Sequence, residues 1–218
     1  MDLKKLGNFF SPLQVPGSVH IIGCGAIGSW IAIQLTRQGV DNLHLWDFDV
    51  VDAHNLTNQS YPKAHIGQPK VASLRAQMKA INPAMNITIH NEPYTDQPLA
   101  GSVFLCVDSI DLRRAIATLH ERNQLIDVML DCRMGLTAAQ HYAAVWSNDQ
   151  HRNRFLASMQ FSDDEVVVES ACGTQLSVLP TVLNITSTAV ANFMNFHRGI
   201  DLKNEVHIDS FIFTTNWY

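Results

Sequence analysis

The stretch Val19–Leu35, VHIIGCGAIGSWIAIQL, constrains the fold more than any other part of the chain. Val19–Ile22 reads as a short apolar strand, Gly23–Gly28 as a turn, and Ala26–Gln38 as a helix stopped by Gly39. Gly23-Cys24-Gly25-Ala26-Ile27-Gly28 fits the spacing G-x-G-x-x-G. The first glycine of that spacing permits a tight turn and the second lets a phosphate approach the backbone. The third allows the helix to pack close to the strand, and the helix N-terminus offers free N–H groups to an anion. Asp47 follows 19 residues after Gly28, at the end of the next apolar segment, where an acid binds ribose hydroxyls. These features predict a nucleotide site at Gly23, Gly25, Ala26, Gly28 and Asp47, on its own equally suited to NAD, FAD or ATP. The competing reading is a tight α/β turn without a ligand.

Strand and helix patterns alternate beyond this unit. LHLWDFD (Leu43–Asp49) reads as a strand, a helix starts near Pro69 and stops at Asn82-Pro83, and MNITIH alternates as a strand. SVFLCVD (Ser102–Asp108) is a continuous apolar run, the pattern of a buried central strand. Asp111–Gln124 reads as a helix capped by Asp111, DVMLDC as a second buried strand, and AQHYAAVW as an antiparallel one. The polar stretch from Ser147 to Ser170 reads as a loop or crossover, Thr174–Phe196 as a long helix, and VHIDSFIFTTNWY as a final strand. The pattern predicts a Rossmann-like, doubly wound α/β fold, mainly parallel, with antiparallel strands in the C-terminal part. One nucleotide-binding domain over residues 1–218 is expected, with a core at 19–135 and the last helix and strand in 136–218.

Of the 218 residues 46% are hydrophobic, enough for a sizeable core, and the net charge is -5. A mildly acidic chain does not point to nucleic acid or an anionic membrane, which both need clustered Lys and Arg, so neither is an expected partner, although net charge leaves room for a local basic patch. No run approaches the roughly 18 apolar residues of a membrane span. The opening MDLKKLGNFFSPLQ has no signal-like apolar core, and the four cysteines form no Cys-x-x-Cys pair. A cytoplasmic location with reduced thiols is the expectation.

LHLWDFDVVDAHNLTNQ, then IGQPKVASLRAQMKAINP, then CVDSIDLRRAI, taken in that order, resemble the ThiF/MoeB-like adenylating enzymes, the family of the ubiquitin-activating enzymes and their bacterial relatives. The resemblance covers Val19 to about Gly135 and continues more weakly through ESACGTQLSVLPTV. It implies that Asp47 and Asp49 lie at the nucleotide, with Asp47 on the ribose. Asn55 would contact phosphate or ribose, Lys70 the ATP phosphates, and Asp108 would hold Mg²⁺ near the α-phosphate. It further implies ATP and Mg²⁺ as cofactors, a homodimer, and a small ubiquitin-like or sulfur-carrier protein whose C-terminal Gly tail is activated as an acyl-adenylate. Cys172 matches a family position that in some relatives carries a covalent intermediate, and a helix N-terminus after it would lower its pKa. Cys24, Cys106 and Cys132 read as structural thiols.

The chain departs from the family pattern at three places. Asn58 occupies the arginine position of N-L-x-R-Q, an exchange that removes a charge beside the leaving pyrophosphate. Lys63, Arg75 and Arg133 are the candidate replacements. The arginine-rich N-terminal segment of the family is missing, since no arginine precedes Arg37. The paired Cys-x-x-Cys zinc ligands are missing too, so no structural zinc is expected. Arg133 ends a strand on the binding edge, where it would meet a phosphate or the partner's tail, or else form an ordinary surface ion pair. Three functional readings follow. The first is an adenylyltransferase with Lys70, Asp108 and Cys172 in catalytic roles. The second is a weakened nucleotide- or partner-binding relative, motivated by Asn58. The third is an NAD-dependent oxidoreductase, which leaves Asn55, Lys70 and Asp108 unexplained.

Overall fold

The computed structural model describes residues 1–161 and 176–218. Its centre is one eight-stranded sheet in the order β3-β2-β1-β4-β5-β6-β7-β8. The strands β1 (Val19–Ile22), β2 (Leu43–Trp46), β3 (Ile87–His90), β4 (Gly101–Leu105) and β5 (Ile126–Met134) are parallel. The strands β6 (Ala138–Val145), β7 (Glu205–Asp209) and β8 (Thr214–Trp217) continue the sheet antiparallel. The fold is thus the doubly wound α/β arrangement with an antiparallel C-terminal part that the sequence pattern predicts.

Successive residues of the inner strands point to opposite faces, and both faces are covered. Ile21, Leu45 and Phe104 join one core, packed with residues of α1 (Ala26–Arg37), α2 (Lys70–Ile81) and α5 (Leu179–His197). Their neighbours Ile22, Trp46 and Leu105 join a second core, packed with residues of α3 (Ile110–Leu119) and α4 (Asp149–Ala157). Burial on both sides is why these strands read as unbroken apolar runs. The strand order reverses between β1 and β4, so their carboxyl ends open a crevice, the position where folds of this kind bind ligands.

Several expected boundaries move, each for a local reason. β2 stops at Trp46, because the Asp47 carboxylate accepts the N–H groups of Cys24 and Asp49 and the chain leaves the sheet there. α3 is capped by Ser109, whose Oγ accepts the Leu112 N–H at 3.1 Å, and it ends at Leu119; Asp111 lies inside the helix and pairs with Arg114. The stretch expected as a loop contains α4, capped by Asn148, whose Oδ1 accepts the N–H groups of Gln150 and His151 at 2.9 and 3.2 Å. The last long helix starts at Leu179, after extended Val178 and with Pro180 in its first turn; Thr174 lies outside the described residues. The C-terminal strand is a hairpin. Asp209 Oδ1 accepts the N–H groups of Phe211 and Ile212, turning the chain back into β8. Among the described residues, no helix is long and apolar enough to cross a membrane.

Candidate functional site

The glycine turn lies at the crevice between β1 and β4, and its three glycines serve different ends. Gly23 has φ +92°, and a Cβ there would lie 2.7 Å from the carbonyl carbon and oxygen of Cys106. A Cβ on Gly28 would lie 1.9 Å from the Gly23 carbonyl oxygen. These two positions are closed by the protein itself. Gly25 differs: a Cβ there would meet nothing within 4 Å. Its carbonyl accepts the Ser29 N–H at 3.1 Å, starting α1, so the N–H groups of the first turn, from Ala26 to Gly28, have no helical acceptor. That cluster of donors, with the positive end of the helix dipole, faces an open space at Gly25.

Asp47 braces this turn. Its Oδ2 accepts the Cys24 N–H at 2.7 Å and its Oδ1 accepts the Asp49 N–H at 2.8 Å. A carboxylate has about four acceptor sites, so two remain for hydroxyl donors. Lys70 opens α2 and is pinned twice to Asp49: its N–H donates to the Asp49 carbonyl at 2.9 Å and its Nζ to Asp49 Oδ2 at 2.7 Å. The Lys70 side chain is 9% exposed, whereas that of Asp49 is 51% exposed. The ammonium is therefore held in the protein, with an open carboxylate beside it. In the turn itself the Cys24 thiol is pushed well upward, first by burial and then by Asp47.

Asn55 is buried in a short 3-10 turn, Ala53–Thr57, and its Oδ1 accepts the Asp52 N–H at 2.8 Å. The Nδ2 of Asn58 donates to Ser177 Oγ just before α5, and its carbonyl accepts the Trp30 indole N–H at 3.0 Å. In this structure Asn58 tethers the loop to α1 and α5. Asp108 is exposed beyond the end of β4, and its Oδ1 accepts the Ser109 N–H at 3.0 Å. Asp47, Asp49, Lys70 and Asp108 thus share the carboxyl edge with the glycine turn. Cys172 lies outside the described residues.

Arg133 does not form a surface pair. It bonds Asp131 Oδ2 at 2.6 Å, donates to Ser158 O and Oγ at 2.7 and 2.9 Å, and lies over the Tyr142 ring at 4.4 Å. Asp131 is fully buried and is also paired with Arg113. With its guanidinium bound to Asp131 and Ser158, Arg133 is a brace between β5 and the end of α4, which corrects the expectation of an ordinary surface ion pair. Of the other candidate replacements for the missing arginine, Lys63 and Arg75 are exposed.

Two residues of the site escape sequence reading. Tyr61 is buried, and its hydroxyl donates to the Cys24 carbonyl at 2.6 Å, fixing the turn from below; burial pushes this phenol well up. Its only sequence signal is an aromatic residue in a polar loop. Arg113 is the other, and its partners Asp131 and Cys132 lie 18 and 19 residues away in β5. The buried thiols of Cys106 and Cys132 are pushed up by burial, Cys106 to about 12. Cys132 lies 3.6 Å from His141 Nδ1, and Asn192 lies 3.0 Å from His141 Nε2. Burial holds the His141 imidazole down to about 4. A thiol and an imidazole both held neutral and sealed from solvent form no nucleophilic pair. Among the described residues no three side chains form a metal-ligand group.

A family model described as the ThiF family matches residues 16–215. Ubiquitin-like modifier-activating enzyme 5 of Caenorhabditis elegans is 29% identical over 145 residues, covering 57% of this chain and 34% of that protein. Molybdopterin-synthase adenylyltransferase of Escherichia coli (strain K12) is 37% identical over 105 residues, covering 45% of this chain and 42% of that protein. The matches thus span less than half the length of these curated relatives. Among solved structures, PaaA superposes with a TM-score of 0.75 at 16% identity over 100% of this chain and 68% of its own. The E. coli MccB structure with ATP gives 0.75 at 16% identity over 95% of this chain and 65% of its own. These two similarities establish a shared fold.

Proposed function

The chain belongs to the ThiF family, and from that premise we propose that it is an ATP-dependent adenylyltransferase. Its acceptor is the C-terminal carboxylate of a small ubiquitin-like or sulfur-carrier protein with a Gly tail. In the reaction a carboxylate oxygen bonds to the α-phosphorus of ATP, the bond from that phosphorus to the bridging oxygen breaks, and pyrophosphate leaves with the electron pair. The product is an acyl-adenylate. The proposed working assembly is a homodimer, and the proposed compartment is the cytoplasm.

The observation that carries this reading is the buried Lys70 ammonium held on Asp49 beside the glycine turn. A dinucleotide pyrophosphate needs the turn and Asp47 alone. A triphosphate about to lose pyrophosphate needs a fixed positive charge as well, because negative charge grows on the departing group. In this role Gly25 and Ala26 present backbone N–H groups to phosphate, and Asp47 accepts from the ribose. Asn55 contacts phosphate or ribose, and Lys70 binds the phosphates. Asp108 holds Mg²⁺. One exposed carboxylate at the crevice fits that ion, which is usually bound by one or two carboxylates together with the substrate's phosphates. When bound, Mg²⁺ supplies charge neutralisation at the phosphates. Cys172 remains a proposed carrier of a covalent intermediate. The tethered Asn58 leaves the leaving group one positive charge short of the family pattern, which predicts slow turnover.

Calorimetric titration with ATP–Mg²⁺ and with NADH, on wild type, Lys70→Ala and Asp108→Ala, tests this function. Magnesium-dependent ATP binding that weakens in both variants is the expected result. NADH binding indifferent to both substitutions, with no ATP binding, would overturn it.

A further inference from the structure

Arg113 is 5% exposed, a guanidinium almost wholly inside the protein. It projects from α3 and ties together two segments at the carboxyl edge of the sheet. Its Nη1 donates to the Cys132 carbonyl at 2.7 Å and to the Asp131 carboxylate, and its Nη2 donates to the Val107 carbonyl. Val107 lies past the last ladder residue of β4, Leu105, so its carbonyl has no strand partner. It is also the residue before Asp108. The same stretch is the floor of the glycine turn, since a Cβ on Gly23 would lie within 2.8 Å of the Cys106 carbonyl group and the Val107 nitrogen.

Charge balance alone does not account for Arg113. Asp131 is already paired with Arg133 at 2.6 Å, so Asp131 and Arg133 are neutral together and the triad with Arg113 carries one net positive charge. What Arg113 alone supplies is a planar fork of donors that reaches the β4 loop and the end of β5 at once. A lysine ammonium, a single point charge, cannot reproduce that fork.

We propose that Arg113 is a positioning residue: it fixes the peptide before Asp108 against β5 and so sets where that carboxylate stands relative to the glycine turn. The consequence for nucleotide binding rests on the adenylating reading of Asp108, whereas the fixing of the loop does not. Partners that orient a metal-holding carboxylate typically matter about ten- to hundredfold in affinity or activity.

The test uses Arg113→Lys and Arg113→Met in two measurements. The first is hydrogen–deuterium exchange of the free protein. Exchange over residues 106–112 is expected to rise about tenfold or more, while the β5–β6 ladder stays protected. Unchanged exchange at 106–112, or a rise spread equally over the whole sheet, would overturn the positioning role. The second is ATP calorimetry with Mg²⁺ and with EDTA, in the wild-type and Asp108→Ala backgrounds. Affinity with Mg²⁺ is expected to fall about ten- to hundredfold, affinity in EDTA to hold, and the effect to vanish once Asp108 is gone. An equal loss in the Asp108→Ala background would show that Arg113 acts by another route and overturn the proposal. If wild type itself binds no ATP–Mg²⁺, the adenylating reading fails, and the exchange data still decide whether Arg113 holds the loop. The Lys variant retains the charge and carries the test if the Met variant does not fold.

Discussion

Gly28→Ala and Gly25→Ala are the same chemical change three residues apart, and they are expected to separate folding from binding. At Gly28 the new carbon would lie 1.9 Å from the Gly23 carbonyl oxygen. An ordinary carbon–oxygen contact is about 3.3 Å, so the backbone would have to open by about 1.4 Å. Overpacking costs about 1–3 kcal/mol where flexible side chains yield. Here a Cβ fixed rigidly to the helix meets a backbone carbonyl, so neither can swing aside and the upper end applies. For a chain of 218 residues about 3 kcal/mol lowers the unfolding temperature by roughly 6–12 °C. At Gly25 the carbon meets nothing within 4 Å and φ is -74°, outside the left-handed region. Stability there is expected to stay within about 1 kcal/mol of wild type. The methyl group would instead stand where a phosphate must approach the N–H groups of α1. Loss of a charge-assisted hydrogen bond, about 1.5–3 kcal/mol, weakens binding about ten- to hundredfold. Thermal unfolding and ATP calorimetry on both variants measure the two effects. A Gly28→Ala protein that melts with wild type would refute the close contact. A Gly25→Ala protein that binds ATP as wild type does would refute the placement of phosphate on this turn.

Lys70→Ala should leave the unfolding temperature within a few degrees of wild type, because its partner Asp49 is 51% exposed and is rehydrated when the ion pair is lost. ATP affinity should fall at least about tenfold, and a large drop in melting temperature with unchanged affinity would make Lys70 a structural pin. His141 is fully buried and held down to about 4 from an ordinary 6.5, mainly by burial, with Asp131 opposing. The unfolded chain takes up this proton below about pH 6.5 and the folded chain does not until about pH 4. Stability is therefore complete above that range and falls by about 1.4 kcal/mol per pH step within it. His20, held down to about 3, and His197, to about 4, act with the same sign. Melting curves from pH 8 to 5 should fall less steeply for His141→Gln, and identical slopes would refute the assignment. In native protein the thiols of Cys24, Cys106 and Cys132 should resist a thiol-labelling reagent at neutral pH, as buried groups pushed upward do. Mass mapping that finds any of the three labelled before unfolding would contradict their burial.

The readable parts of this molecule are those whose physics is local. The glycine spacing, the apolar strands and Asp47 can be found in sequence because a turn, a sheet core and a strand end each leave their mark within a few residues. Lys70 is legible as a helix start, yet the ion pair that buries it joins residues 21 apart in the chain and has no pattern of its own. Arg113 and Tyr61 were not legible, because each looks like an ordinary helix or loop residue until β5 and the glycine turn close around it. α4 escaped because only Phe155 in it is buried, too little for a helical period to show. Asp111 looks like a cap because it is acidic and precedes an apolar run, but Ser109 stands two residues earlier and reaches the Leu112 N–H. Asp209 and its two N–H bonds turn an apparently continuous final strand into a hairpin.

The contact between Gly23 and the Cys106–Val107 peptide has a meaning for how the chain is made. β1 pairs on one side with β2, Val19 facing Leu43, and on the other with β4, Val19 facing Ser102. On a ribosome adding about 5–20 residues per second, the interval between Trp46 and Leu105 is roughly 3–12 s. Throughout it β1 and the glycine-turn residues are already synthesised, but the floor of the turn is not. The nascent chain then carries an open central strand edge beside an unfinished glycine turn. A translation product cut short before Gly101 would keep β1 with that edge unpaired, and an open central edge is prone to pair with another chain.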